Sequence, residues 1–256
     1  MNHRIALVTG AGRGIGRAIA EQLARPGMRI AVTSRTIAEL DGVAAQIRAA
    51  GGEPLEIVDD LSDRSAPARI VRRVEQTWGA VEILVNNAGI GSSQAPQPIV
   101  GFDDKFWDLT MAVNVTAPYL LTKLVLPAMI QARWGRIINI SSMNAKIPAL
   151  HGAAYVTSKH AIAGFTKATA KEIADQGITC NAICPGVIAT VMNDKRLEYD
   201  SRRLGVSVAD LEAQASPLGR RLLPEEVAPL AVFLASDGAV AINGQLLNVC
   251  GGTVMY

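Results

Sequence analysis

Thr9-Gly10-Ala11-Gly12-Arg13-Gly14-Ile15-Gly16 follows directly on the β-branched run Ile5 to Val8 and opens a stretch with helical spacing. Strand, glycine turn and helix in this order present backbone N–H groups at a helix N-terminus, where the dipole and the missing Cβ atoms favour a pyrophosphate. On this reading Gly10 makes the turn, Gly14 admits the phosphates and Gly16 lets the helix pack closely on the strand, while Gly12, Arg13 and Ile15 complete the cradle.

Outward from the turn, short β-branched runs alternate with longer stretches rich in Ala, Leu, Glu and Arg, the pattern of repeated βαβ units. Strands are expected at Ile5 to Val8, Arg29 to Thr33, Leu55 to Val58, Ile83 to Val85, Arg136 to Ile140, Thr179 to Ile183 and Leu246 to Val249. Most lack polar alternation, which fits strands covered on both faces. Helices are expected at Gly14 to Arg25, Ala38 to Ala49, Ser65 to Trp78, Ala154 to Asp175 and Glu225 to Ala235, and over Val115 to Gln131 with a kink at Pro127. The fold class is therefore α/β: one domain over 1–256, a doubly wound (Rossmann) seven-stranded parallel sheet with helices on both faces. Val191 to Pro217 is polar and charged and reads as the one irregular excursion, a candidate substrate lid.

Composition narrows the partners. A hydrophobic share of 49%, a charged share of 19% and a net charge of +2 describe a globular protein without the field that nucleic acid or an anionic membrane requires. No apolar run approaches the roughly 20 residues of a bilayer span, and the N-terminus passes straight into the first strand, so a cytoplasmic location is expected. Cys180, Cys184 and Cys250 form neither a disulfide framework nor paired CxxC motifs, and with His3, His151 and His160 as the only histidines no metal site is expected.

Further motifs stand in order along the chain: Asn86-Asn87-Ala88-Gly89, Asn114, Ser142, Tyr155-Val-Thr-Ser-Lys159, Pro185-Gly186 and Thr190. With the Thr-Gly-x-x-x-Gly-x-Gly spacing of the first turn they resemble the short-chain dehydrogenase/reductase family over nearly the whole chain. The resemblance implies an enzyme that interconverts a small-molecule ketone and alcohol with a nicotinamide cofactor. Tyr155 and Lys159, four apart on an expected helix, point from one face. Hydride transfer to a carbonyl develops alkoxide character that a phenol can quench only if its anion is stabilised, since its ordinary pKa is about 10. Lys159 and the oxidised nicotinamide are expected to lower it, and the resemblance gives Lys159 a second bond to the nicotinamide ribose. It also gives Ser142 the substrate carbonyl, with Ser141 facing away, and Asn114 a water in the proton relay. Asn87, Ala88 and Gly89 are expected beside the adenosine, and Pro185, Gly186, Ile188 and Thr190 beside the nicotinamide carboxamide.

The second strand ends in Thr33-Ser34-Arg35-Thr36, with Ser34 where an acidic residue would bind the ribose 2′-hydroxyl of NAD(H). Arg35 and Arg13 instead suit a 2′-phosphate, so NADP(H) is expected over NAD(H). Asp60, followed by Leu61, resembles the aspartate that accepts from the adenine amino group, with Asp59 one residue away. The substrate is expected to be a 3-oxoacyl-like or bulkier apolar ketone. A hydroxy acid or polyol dehydrogenase is the alternative, although Gly91, Asn144 and Gly152 stand where hydroxybutyrate enzymes carry a polar carboxylate clamp. An NADP(H)-sensing binding protein is the alternative from another class. The apolar faces of the Tyr155 helix, of the preceding helix and of the C-terminal segment imply, by the same resemblance, a homotetramer.

Overall fold

The computed structural model describes residues 3–256. Seven parallel strands form one sheet in the order β3-β2-β1-β4-β5-β6-β7, with β1 Ile5–Val8, β2 Arg29–Ser34, β3 Glu53–Val58, β4 Ile83–Asn86, β5 Gly135–Ile140, β6 Ile178–Pro185 and β7 Leu246–Val249. All seven lie within one or two residues of the expected runs. Successive residues of β1 point to opposite sides, so Ala6 and Val8 enter one core cluster and Ile5 and Leu7 the other. Helices α1 Gly14–Leu23, α2 Ile37–Ala49 and α9 Pro224–Leu234 cover the first side. The second side is covered by α3 Ala66–Trp78 and α5 Ala117–Ala132, with Ala170 of α6 Ala153–Glu172. The chain reverses direction across the sheet between β1 and β4, and a crevice opens there at the strands' carboxyl ends.

Two regions differ from expectation. The stretch after Thr190 is helical: α7 Val191–Leu204 and α8 Val208–Ala213 replace the irregular excursion. Thr190 caps α7 by accepting from the Asn193 amide, and Gly205 ends it in a left-handed conformation at φ 67°. Leu197 is the only buried residue of α7, so almost no apolar stripe marked the helix in the sequence.

The helix before β5 is also longer than its pattern suggested. It starts with α4 Asp104–Met111, passes through one π turn at Ala112–Thr116 and continues as α5. The α5 segment runs on through Pro127. As a continuous 29-residue element it is long and apolar enough to cross a membrane by length and composition. Part of that apolarity is spent on the sheet, where Leu121, Val125 and Met129 are buried.

Candidate active site

A single cleft of about 1060 Å³ runs along the crevice from the glycine turn to Tyr155. Its walls contain Gly10, Gly12, Arg13, Gly14, Ile15, Ser34, Arg35, Asp60, Leu61, Asn87, Ala88, Gly89, Ser142, Tyr155, Lys159, Pro185, Gly186, Ile188 and Thr190, residues scattered over most of the chain. Gly16 and Asn114 lie behind the wall, and both act through what they support.

At the glycine turn, space rather than charge dictates the residue type. Gly10 has φ 61°, and a Cβ there would lie 2.7 Å from the Ala88 Cα. A Cβ at Gly16 would lie 2.3 Å from Asn87 Nδ2 and 2.5 Å from the Gly10 carbonyl oxygen. Asn87 explains this crowding, because its amide donates to the Thr9 and Gly10 carbonyls at 2.9 and 3.0 Å and ties the turn to the end of β4. Gly14, at φ 57°, leaves the turn open toward Thr190. A dinucleotide pyrophosphate suits this turn, since side chains at Gly10 and Gly16 would collide with Ala88 and Asn87 and push the turn out of the shape that lines the cleft.

At the far end, β5 and α6 carry the chemistry. The helix is fixed to the end of the strand by Ser141 Oγ, which donates to the Lys159 carbonyl at 3.3 Å, and by Asn139 Nδ2, which donates to Thr166 Oγ1 at 2.9 Å. Ser141 thus faces the helix while Ser142 faces the cleft, where its hydroxyl accepts from the Asn144 amide at 3.1 Å. Lys159 is buried, and its Nζ donates to the Ile140 carbonyl at 2.9 Å and sits 5.5 Å from the centre of the Tyr155 ring.

Electrostatics at this end are set by burial. Desolvation lowers Lys159 from its ordinary 10.5 to about 8 and raises the Tyr155 phenol, which a hydrogen bond from Ser142 pulls partly back. The protein alone therefore holds the phenol protonated, the form that can give a proton to an alkoxide. Among the protein's own groups, burial has the largest influence on the phenol.

Asn114 lies in the π turn and is buried. Its side-chain oxygen accepts from the Ile90 amide at 2.7 Å, and its amide donates to the Ile90 carbonyl at 2.9 Å and to Ser158 Oγ at 3.0 Å. These bonds join the segment after β4 to α6 one residue before Lys159. Pro118 has no N–H to offer the Asn114 carbonyl four residues back, which suits the wider i to i+5 spacing of the π turn.

At the Arg13 end, Asp59 is held by Arg69 at 2.6 and 3.0 Å, whereas Asp60 accepts from the Ser62 amide at 2.9 Å and is exposed in the cleft. Arg35 is exposed on the same wall. The sequence reading missed Glu39, which reaches back from α2 to accept from Ser34 Oγ at 2.9 Å and from Arg13 at 3.2 Å. A glutamate in the first turn of a helix ordinarily reads as a partner of the helix dipole, so its pattern carried no signal of the cleft. The polar contacts that hold α7 were missed as well. Arg196 pairs with Asp200 and donates to Ser92 Oγ at 3.3 Å and to the Leu150 carbonyl at 2.9 Å, and His151 bonds the Tyr199 hydroxyl.

This fold and this cleft define a nicotinamide-type oxidoreductase acting on a CH–OH/C=O pair. The short chain dehydrogenase family model matches residues 4–200, and the chain belongs to that family. It is 38% identical over 261 residues to a D-beta-hydroxybutyrate dehydrogenase of Cupriavidus necator, covering 99% of both chains. It is 36% identical over 252 residues to a 3-oxoacyl-(acyl-carrier-protein) reductase of Pseudomonas aeruginosa, covering 98% of both. Among solved structures, an actinorhodin polyketide ketoreductase crystallised with NADPH superposes with a TM-score of 0.93 at 37% identity, covering all of both chains.

Proposed function

We propose that the chain is an NADP(H)-dependent ketoreductase that turns a 3-oxoacyl-like or bulkier apolar ketone into a secondary alcohol. The observation that carries this is the convergence of Ser142, Tyr155 and Lys159, from β5 and α6, on the same cleft as the glycine turn. NADP(H), when bound, supplies the hydride. Ser142 orients the substrate carbonyl, and Tyr155 gives its proton to the oxygen as charge develops there. Lys159, with a pKa of about 8, holds a proton close to neutrality and hands it on to the phenol. Arg13, Ser34 and Arg35 hold the 2′-phosphate, and Asp60 the adenine.

The substrate side supports an apolar ketone. Val113, Met143, Ile147, Val187 and Met192 line it, and a Cβ at Gly91 would lie 2.5 Å from Met192 Sδ, so a side chain there would have to displace the Met192 thioether. The segment 191–217 acts as a lid, with Arg196 and Tyr199 as its latch. The NADPH named with the ketoreductase structure, and the carrier-linked substrate of the Pseudomonas relative, agree with this reading. The test is NADPH oxidation across a panel of 3-oxoacyl thioesters, bulky cyclic ketones and acetoacetate. Turnover confined to acetoacetate would make the chain a hydroxy acid dehydrogenase instead, and NADPH binding without turnover on any ketone would make it a sensor.

We further infer a cytoplasmic homotetramer. Tyr119, Leu124 and Ile130 are exposed apolar residues on α5, and Tyr119 meets Phe165 of α6 edge-on at 6.3 Å between ring centres. Two such helices from a second copy would cover this face. Phe165→Glu is expected to dissociate the assembly and reduce activity together; light scattering that finds the parent protein monomeric and fully active at micromolar concentration would refute it.

A further inference from the structure

Glu39 sits where the cofactor reading leaves no role for a carboxylate. It is the third residue of α2, and its side chain turns back over the glycine turn so closely that a Cβ on Gly12 would lie 2.6 Å from its Oε2. Both its oxygens engage groups that a 2′-phosphate needs. The Ser34 hydroxyl has one proton, and here it is donated to Glu39. Arg13 is two-thirds exposed yet aims a guanidinium nitrogen at the same carboxylate rather than at solvent. Arg35, on the same wall, takes no part in this pairing and stays exposed.

A phosphate and a carboxylate cannot both take these donors. A 2′-phosphate arriving between Ser34 and Arg13 meets a like charge at short range and must expel Glu39 into solvent, breaking two charge-assisted bonds. A bare ribose 2′-hydroxyl has the opposite effect, because it can donate to the carboxylate where it stands.

We propose that Glu39 is the residue that sets how far this enzyme prefers NADP(H) over NAD(H), by competing with the 2′-phosphate for Arg13 and Ser34 and by accepting from the 2′-hydroxyl when the phosphate is absent. The inference rests on the NADP(H) reading above and limits it: the arginines favour the phosphate, Glu39 opposes it, and the enzyme uses both cofactors.

Calorimetric dissociation constants of the parent, Glu39→Gln and Glu39→Ala for NADPH, NADH, 2′,5′-ADP and ADP test it, with melting temperatures recorded alongside. Glu39→Gln keeps the shape and removes the charge, so NADPH and 2′,5′-ADP are expected to bind about tenfold more tightly and NADH several-fold more weakly. Glu39→Ala is expected to move the NADPH/NADH ratio in the same direction. A ratio unchanged to within about twofold in both variants, in a parent that prefers NADPH, overturns the role of Glu39 and leaves the cofactor reading standing. A lowered melting temperature with an unchanged ratio means that Glu39 only steadies α2, and overturns it too. A parent that binds 2′,5′-ADP no better than ADP, with no change on Arg35→Ala, removes the NADP(H) reading and this proposal together.

Discussion

The two ends of the cleft are built from different materials. At the Tyr155 end the functional groups are buried and fastened to backbone: Lys159 to the Ile140 carbonyl, Ser142 to the Asn144 amide, and Asn114 to both polar atoms of Ile90. At the Arg13 end Arg13, Arg35 and Asp60 are exposed, and charged groups are fastened to one another through ion pairs, Arg13 with the half-buried Glu39 and Arg69 with Asp59. Surface pairs of this kind contribute little to stability and are easily rearranged. The difference separates two tasks: chemistry needs groups that cannot move, and cofactor choice needs groups that can be re-paired.

The sharpest way to break the comparison is at the buried end. Tyr155→Phe removes the one phenol facing Ser142 and Lys159 and is expected to cost several orders of magnitude in turnover while NADPH still binds, since the phosphate cradle is untouched. Single-turnover assays and cofactor titration would measure both, and turnover within about tenfold of the parent would refute the assignment.

Lys159 gives a stability effect with a defined sign. Its folded pKa of about 8 lies below the 10.5 of the free side chain, so below about pH 8 both states are charged and the folded state bears the full cost of burying the ammonium. Between about 8 and 10.5 the folded state sheds the proton first, and stability rises with pH by up to about 3 kcal/mol from this group. The raised Tyr155 phenol acts the other way only above its ordinary 10.0. Urea unfolding at about pH 7.5 and about pH 9.5 should therefore show a steeper rise in the parent than in Lys159→Met; parallel slopes would remove the buried-charge penalty.

At the exposed end the effects shrink. Arg35→Ala is expected to weaken NADPH binding by about 1.5–3 kcal/mol and NADH binding far less, the loss of one charge-assisted phosphate contact. Equal losses for both cofactors would show that Arg35 does not read the 2′-phosphate. The smallest effect is expected at the latch: Arg196→Ala frees α7 from Ser92 and the Leu150 carbonyl and should raise the substrate KM a few-fold with kcat little changed. Proteolysis at Arg202 or Arg203 that proceeds equally fast with and without saturating ligands would argue that this segment does not close.

The same contrast explains what the sequence disclosed. The strands and five of the expected helices were legible because burial on both faces leaves β-branched runs and because helices that cover a sheet carry an apolar stripe. Tyr155, Lys159 and the glycine turn were legible because their spacing is itself the geometry. Glu39 was hidden because its partners lie twenty-six and five residues away and its function arises from the turn of α2 back onto Gly12. The helix α7 was hidden because it is held through the polar residues Arg196, Asp200 and Tyr199, which erase the periodicity that betrays a helix. The desolvation that raises the Tyr155 phenol and lowers Lys159 was hidden for a related reason: spacing reveals proximity, but how much water is excluded is known only when β5, α6 and the Ile90 segment have closed around the pair.

The π turn at Ala112–Thr116 works as a phase shifter. One extra residue in a helix of 3.6 residues per turn advances everything beyond it by about 100°, so α4 and α5 are a single rod whose two halves keep different faces toward the rest of the molecule. Removing one residue from 112–116 would restore an even helical repeat but swing α4 by about a quarter turn relative to α5. It would also carry Asn114 off Ile90 and Ser158 and return Pro118 to a position where its ring meets a carbonyl. Chain length in this segment is therefore constrained more tightly than residue identity: substitutions along the rod alter its surfaces, whereas a single insertion or deletion changes which side of it the active site meets.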